Sequence, residues 1–226
     1  PDHEIDADAL LKAAETALNR AKRITRDQVA LFSEEMKVAA FLRFTLEGDL
    51  RRAIGEDELK VLYQPIVDVN RREIVKAEAL VRWPHMSRGP VPPPEFISLA
   101  EETGMIVPLT RAVMERVCND IVELGDALPA DFRVSINLSG VNFMDPQLIP
   151  TVRAVLEGAG LPASRIEFEL TETVLMRDLD YATTILAQLR EMGIRVAVDD
   201  FGTGYSSLAY LRRLAVDTLK IDRSFV

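Results

Sequence analysis

Five short runs of this sequence set acids, amides or bases where a β-strand would end. They are EALVR with Glu78 and Arg82, SINLS with Asn137, FELTET with Glu169 and Glu172, VAVDDFGTG with Asp199 and Asp200, and LKIDRS with Lys220 and Asp222. Side chains two apart on a strand share a face, so Glu78, Leu80 and Arg82 point the same way. A core strand rarely turns both a Glu and an Arg inward unless they pair or bind something. Two readings stay open: an internal salt bridge, or a metal ligand (Glu78) with a phosphate contact (Arg82). Asn137 alone suits a cap or turn, but beside inward acids its amide oxygen suits a hard cation. Glu169 belongs to its strand. Glu172 falls in the loop or first helical turn that follows, where an acid favours a helix N-terminus as readily as it binds metal. Asp199 and Asp200 repel each other, a cost that a divalent cation relieves. Lys220 and Asp222 alternate on one face, either as a salt bridge or as a water-orienting lysine with an aspartate near a metal.

The set is oxygen-rich and contains no histidine. The chain's two histidines, His3 and His85, lie in a tail and a loop, which argues against imidazole acid–base chemistry. Carboxylates and an amide select Mg²⁺ or Mn²⁺ over zinc. A group of this size suits two ions. Two ions suit phosphodiester hydrolysis, where a water is activated and the phosphoryl charge clamped. A Gly-rich phosphate loop is absent, so an ATPase reading is poor.

The elements that must hold these residues read as follows. Residues 7–24 place Leu10, Leu11, Ala14, Leu18 and Ala21 at helical spacing, VALF from Val29 reads as a short strand, and 34–54 reads as a second helix ended by Gly55. LKVLYQPIVDV and REIVKAEALVRW then suggest a hairpin. A Pro-rich loop and helices over Phe96–Thr103 and Leu109–Leu124 follow. Strands FRVSINLS, RIEFELTE, IRVAVDDFG and TLKIDRSFV alternate with helices around 146–158, over 180–192 and from Ser206. Ser206 and Ser207 are candidate caps for the last of these.

Alternating strands and helices imply a parallel sheet, either an eight-fold barrel or an open doubly wound sheet. In an open sheet only the strands near the switch point supply a site, whereas in a barrel every strand end faces one mouth. Polar residues end nearly every strand here, which favours the barrel. Six strands are countable from Leu59 to Val226, against the eight of a closed barrel. The expectation is a chain that lacks its last two βα units.

The bulk numbers agree. The chain has 226 residues, 48% of them hydrophobic, with a net charge of −9. That supports a sizeable core and argues against a grip on long nucleic acid. The single cysteine, Cys118, reads as a buried core thiol and fits a reducing cytosol. No stretch is apolar enough to span a membrane, so a cytoplasmic location and no membrane contact by this segment are expected, although a longer parent could be anchored upstream.

LYQPIVD, EALVRW, NLS, ELTE, DDFGTGYSSL and KIDRSFV, in this order, resemble the EAL-domain phosphodiesterases from about Leu59 onward. The resemblance implies a modified (β/α)₈ barrel with an antiparallel first strand, and hydrolysis of cyclic di-GMP to linear pGpG. It implies metal ligation by Glu78, Asn137, Glu169, Asp199 and Asp200, and a water-assisting Lys220. Gln64, Leu80, Arg82 and Asp222 fall at substrate-contact positions. Glu172 resembles the glutamate that holds the DDFGTG loop, and that loop with its following helix implies a homodimer. The family's later motifs, including a further glutamate ligand, do not occur before Val226, so the chain as written is expected to be impaired or inactive. Residues 1–33 resemble the end of a GGDEF domain, 34–55 a linking helix, and 56–226 the EAL domain. The alternatives are a receptor that binds cyclic di-GMP without cutting it and, more remotely, an enolase-type Mg²⁺ barrel.

Overall fold

The computed structural model describes residues 6–24, 29, 31–202 and 214–225. The chain divides into two compact units, Pro1–Arg52 and Ala53–Val226. The first contains α1 (Ala7–Ile24) and most of α2 (Glu34–Gly55). Among the described side chains of α1, Ala13 and Ala17, four apart, are buried, while Leu10, Leu11 and Leu18 stay about half exposed. Of the strand expected at VALF, Ala30 lies outside the described residues; Val29, Leu31 and Phe32 have no strand structure, and no described strand pairs with them, which corrects the expectation there. A strand without a ladder partner leaves its backbone groups unpaired, so β-propensity alone does not make one.

The second unit is built on one curled sheet. Its strands are β1 (Lys60–Asp68), β2 (Glu73–His85), β3 (Gly89–Val91), β4 (Arg133–Asn137), β5 (Ile166–Thr171), β6 (Arg195–Phe201) and β7 (Thr218–Ile221). Its helices are α3 (Pro93–Thr103), α4 (Ile106–Leu124), α5 (Gly140–Phe143), α6 (Leu148–Ala159), α7 (Glu172–Met176) and α8 (Leu179–Glu191). The order β1-β2-β4-β5-β6-β7 follows the chain without reversal. A doubly wound sheet would reverse at a switch point, so this is the winding of a (β/α) barrel. β1 runs antiparallel to β2, and the pairs from β2 to β7 along the path are parallel. The fold is therefore mixed α/β, a part-barrel with an inverted first strand.

Several boundaries differ from expectation. α3 starts at Pro93, because a proline in the first turn costs no hydrogen bond. The Pro-rich loop contributes the short β3, which pairs with the end of β2. The TLKIDRSFV strand stops at Ile221, and Arg223–Phe225 turn as a 3₁₀ helix. The helix expected from Ser206, with its candidate caps, lies outside the described residues.

The core holds Trp83, Phe96, Phe143, Phe168 and Leu186, each nearly inaccessible. Trp83 meets Phe96 edge to face, with centroids 5.8 Å apart. Tyr63 on β1 donates to Asp120 on α4 at 2.5 Å, tying the inverted strand to a covering helix. Burial first, then this bond, pushes the Tyr63 phenol up. Cys118 is free and buried as expected, and burial pushes its thiol up to about 11, away from reactive thiolate.

Candidate active site at the strand ends

β4, β5, β6 and β7 carry Asn137, Glu169, Asp199 and Lys220 in their C-terminal halves, whereas Glu78 sits in the middle of the long β2, paired in register with Ser135, so the expectation that it ends its strand is corrected. The parallel register sets Asn137 beside Glu169. The backbone N–H of Leu138 donates to the Glu169 carbonyl at 2.9 Å, extending that pairing past the strand. Ser139 then caps α5, accepting from the Asn142 N–H at 3.1 Å. The cap turns the chain away immediately after Asn137 and leaves its amide at the mouth.

The centre of the cluster is the Lys220 ammonium. It donates to Glu169 Oε2 in a very short contact, to Asp199 Oδ2 at 3.0 Å and to Glu78 Oε2 at 3.3 Å. Asn137 Nδ2 donates to the other Glu78 oxygen at 2.8 Å. Four of the five expected metal ligands and the expected catalytic lysine thus form one hydrogen-bonded group. The open choices at Glu78 and Lys220 resolve toward this group: Glu78 does not pair with Arg82, nor Lys220 with Asp222. Among the described residues Arg82 makes no ion pair, and its Nη1 donates to the Val81 carbonyl at 2.9 Å. Asp222 accepts from the Ser224 N–H at 2.9 Å; the Ser224 hydroxyl first, and this backbone bond second, hold its carboxyl below the usual range.

The electrostatics are unbalanced. The Glu169 side chain has no exposed surface, and its Oε1 has no hydrogen-bond partner. Burial pushes this carboxyl up, and Lys220 pulls it down without cancelling the effect. Burial also pushes Asp200 up, aided by the charges of Asp199 and Asp222. For Lys220, burial acts to lower the ammonium's pKa, but its bonds to Glu169 and Asp199 outweigh that and raise it.

Asp200 takes a left-handed backbone, φ 52°, where the β6–β7 register slips. Successive strand residues normally point to opposite faces; the slip interrupts this, and the charges of Asp199, Asp222 and Lys220 all bear on Asp200. Such a backbone costs a non-glycine residue about 1–3 kcal/mol and persists only where the surroundings impose it. Glu172, the first residue of α7, accepts from the Gly202 N–H at 3.3 Å and so grips the segment after β6. Gly202 has φ +102°, and an added Cβ would lie 2.9 Å from the Phe225 ring.

Leu80 and Arg82 are half-buried and line a cavity of about 300 Å³ with Pro93, Ile97 and Asn137. Gln64, on β1, is exposed and pairs in register with Glu78. The sequence reading passed over Lys76 and Glu167, two residues before Glu78 and Glu169. Lys76 donates to Glu167 in a very short contact, and Ser135 donates to the same oxygen at 3.0 Å. The signal was present in the alternation E-F-E at 167–169.

The donor chemistry fits a divalent ion: the oxygens are hard, the negative charge exceeds what one ammonium offsets, and Glu169 carries an orphaned oxygen. Among the described residues, however, no three acids are arranged as a ready-made metal cage. Lys220 stands between them.

Comparison with known proteins follows the same lines. The EAL domain family model matches residues 47–226. The cyclic di-GMP phosphodiesterase NbdA of Pseudomonas aeruginosa is 42% identical over the whole of this chain, which spans 29% of that protein. The cyclic di-GMP phosphodiesterase PdeR of Escherichia coli is 38% identical, and the chain spans 34% of it. The chain thus covers about a third or less of these relatives' length. Among solved structures, the PaMucR phosphodiesterase in complex with c-di-GMP has a TM-score of 0.76 at 41% identity, over 80% of this chain and 73% of that one. The EAL enzyme Bd1971, in its cAMP- and cyclic-di-GMP-bound form, has a TM-score of 0.75 at 29% identity, over 99% of this chain and 58% of that one.

Proposed function

The chain belongs to the EAL domain family, and from that premise we propose that this domain, in a protein that also carries the family's later motifs, hydrolyses cyclic di-GMP to linear pGpG. The observation that carries the reading is the convergence of Glu78, Glu169 and Asp199, from three strands, on one cationic centre. A lone buried acid is costly, and three on one point make sense where a cation is part of the design.

In this reading Glu78, Asn137, Glu169, Asp199 and Asp200 hold Mg²⁺ or Mn²⁺. Bound there, the metal would supply an activated water and a clamp on phosphoryl charge. Asn137 orients Glu78 through its 2.8 Å bond. Arg82, without a carboxylate partner among the described residues, offers a planar fork to a phosphate of the substrate. Leu80 offers an apolar wall to a base in the neighbouring cavity. Gln64 and Asp222 complete the substrate contacts. Glu172 fixes the segment after Asp200 through Gly202. Lys220 keeps its proton and presents an ammonium to the water or the phosphate.

The wider assignments rest on the resemblance. Residues 1–33 are read as the end of a GGDEF domain and 34–55 as the link to an EAL domain over 56–226. A homodimer would form through the DDFGTG loop and the following helix, which lie largely outside the described residues. A cytoplasmic location is part of the same reading; among the described residues no helix is long and apolar enough to cross a membrane.

The test is incubation with cyclic di-GMP and Mg²⁺ or Mn²⁺, with pGpG followed by chromatography. Turnover that Glu78→Ala abolishes supports the proposal. Turnover that persists in Glu78→Ala would exclude this site, and tight binding without turnover would reassign the chain as a receptor.

A further inference from the structure

Lys220 contacts oxygens of three carboxylates that the proposed function gives to metal ions. A divalent ion binds oxygen at about 2.0–2.2 Å, closer than an ammonium's hydrogen bonds. An ion bound to these oxygens would therefore lie within a few ångströms of Nζ, and two cations at that distance repel strongly in a half-buried site. Both draw on the same Glu169 Oε2, which Lys220 grips most closely, so each weakens the other's hold. We infer that Lys220 is a built-in competitor of the catalytic cation, holding the three carboxylates together until a metal displaces its ammonium.

This deepens the proposed function and rests on it. It makes one residue serve two states. While Lys220 holds the acids, it screens a repulsion that would otherwise splay β2, β5 and β6 apart. Once displaced, the ammonium is released from Glu78, Glu169 and Asp199 and becomes available to the substrate. The lysine's availability is thereby tied to metal loading, and the price is metal affinity. The neighbouring lysine gives an internal contrast: Lys76 sits two residues before Glu78, but its ammonium is held by Glu167.

The experiment is calorimetric titration of the full chain with Mg²⁺ and with Mn²⁺, in wild type, Lys220→Met, Lys220→Gln and Lys76→Met. Circular dichroism establishes that each variant is folded. Competition predicts that both Lys220 variants bind the metal tighter by at least about fivefold, the lower end of typical coupling between sites. Lys76→Met removes the same charge from a place that does not touch the ligands, and should change affinity by less than about twofold. In wild type, the Lys220 ammonium signal in a ¹H–¹⁵N spectrum should shift on metal addition. Unchanged or weaker binding in the Lys220 variants overturns the inference, as does an equal gain in Lys76→Met or an unmoved Lys220 signal. Failure of the wild type to bind either ion overturns the proposed function itself, and this inference with it.

Discussion

Two layers of polar side chains lie on the same strands, one turn of the pleat apart, and they have opposite characters. The lower layer joins Lys76, Ser135, Glu167 and Thr218. Glu167 accepts from Lys76 and Ser135 on one oxygen and from Thr218 at 3.5 Å on the other. The upper layer joins Glu78, Asn137, Glu169, Asp199 and Lys220, where three carboxylates share one ammonium and one Glu169 oxygen has no partner. The lower layer is one acid with one base and its hydroxyls, closed on itself. A buried ion pair of that kind fixes register; a surplus of acids calls for something from outside. Depth does not separate them, since Glu167 and Glu169 are almost equally buried. The balance of charge and hydrogen bonds does.

The sharpest way to test this contrast is at its two glutamates. Glu169→Gln should lower kcat/KM for cyclic di-GMP by roughly a thousandfold, about 4 kcal/mol of transition-state stabilisation. It should leave folding stability nearly unchanged or slightly higher, as read by urea denaturation. Glu167→Ala should do the reverse. It leaves the half-buried Lys76 without its partner and should cost about 3 kcal/mol of stability, with kcat in the folded protein preserved within a few-fold. A large kcat loss in Glu167→Ala would merge the two layers into one functional unit.

Gly202→Ala breaks the grip above the upper layer. The left-handed backbone and the close Phe225 ring together should cost about 2 kcal/mol. Phe225→Ala in the same chain should recover part of that in thermal melts. A pH profile sharpens the upper layer further. The folded state raises the Glu169 pKa, so its contribution to stability is full below the ordinary carboxylate pKa and is lost as pH rises through the raised value. In chelator, urea melts should show that loss in wild type and lack it in Glu169→Gln. The smallest effect belongs to the weakest contact of the lower layer: Thr218→Val should cost about 0.5 kcal/mol, since its bond to Glu167 is long.

Much of this site was legible before the fold was known. Asn137, Glu169, Asp199 and Lys220 were placed correctly near strand ends and Glu78 correctly on a strand, though in its middle; a two-residue period marks a strand face wherever the strand goes. The antiparallel first pair was legible as a hairpin in two alternating runs; only its place as the inverted first strand of a barrel rested on the family resemblance. VALF was misread because composition cannot supply a ladder partner. Lys76 and Glu167 went unremarked because a single Lys and a single Glu on two strands look like solvated residues until the register sets them together.

By itself, then, the sequence determined which side chains share a face, which elements alternate and which atoms are hard oxygen donors. These are local properties, carried by covalent geometry and residue chemistry. Only the tertiary structure decided that Lys76 answers Glu167, 91 residues away, and that Lys220 answers Glu78, 142 residues away, together with Glu169 and Asp199. It also decided that the backbone between the adjacent aspartates leaves the regular strand, through the left-handed Asp200 and the register slip beside it. The reason is physical: ion pairs and register slips depend on which strand lies beside which, and neighbours in a sheet are fixed by the packing of the whole unit.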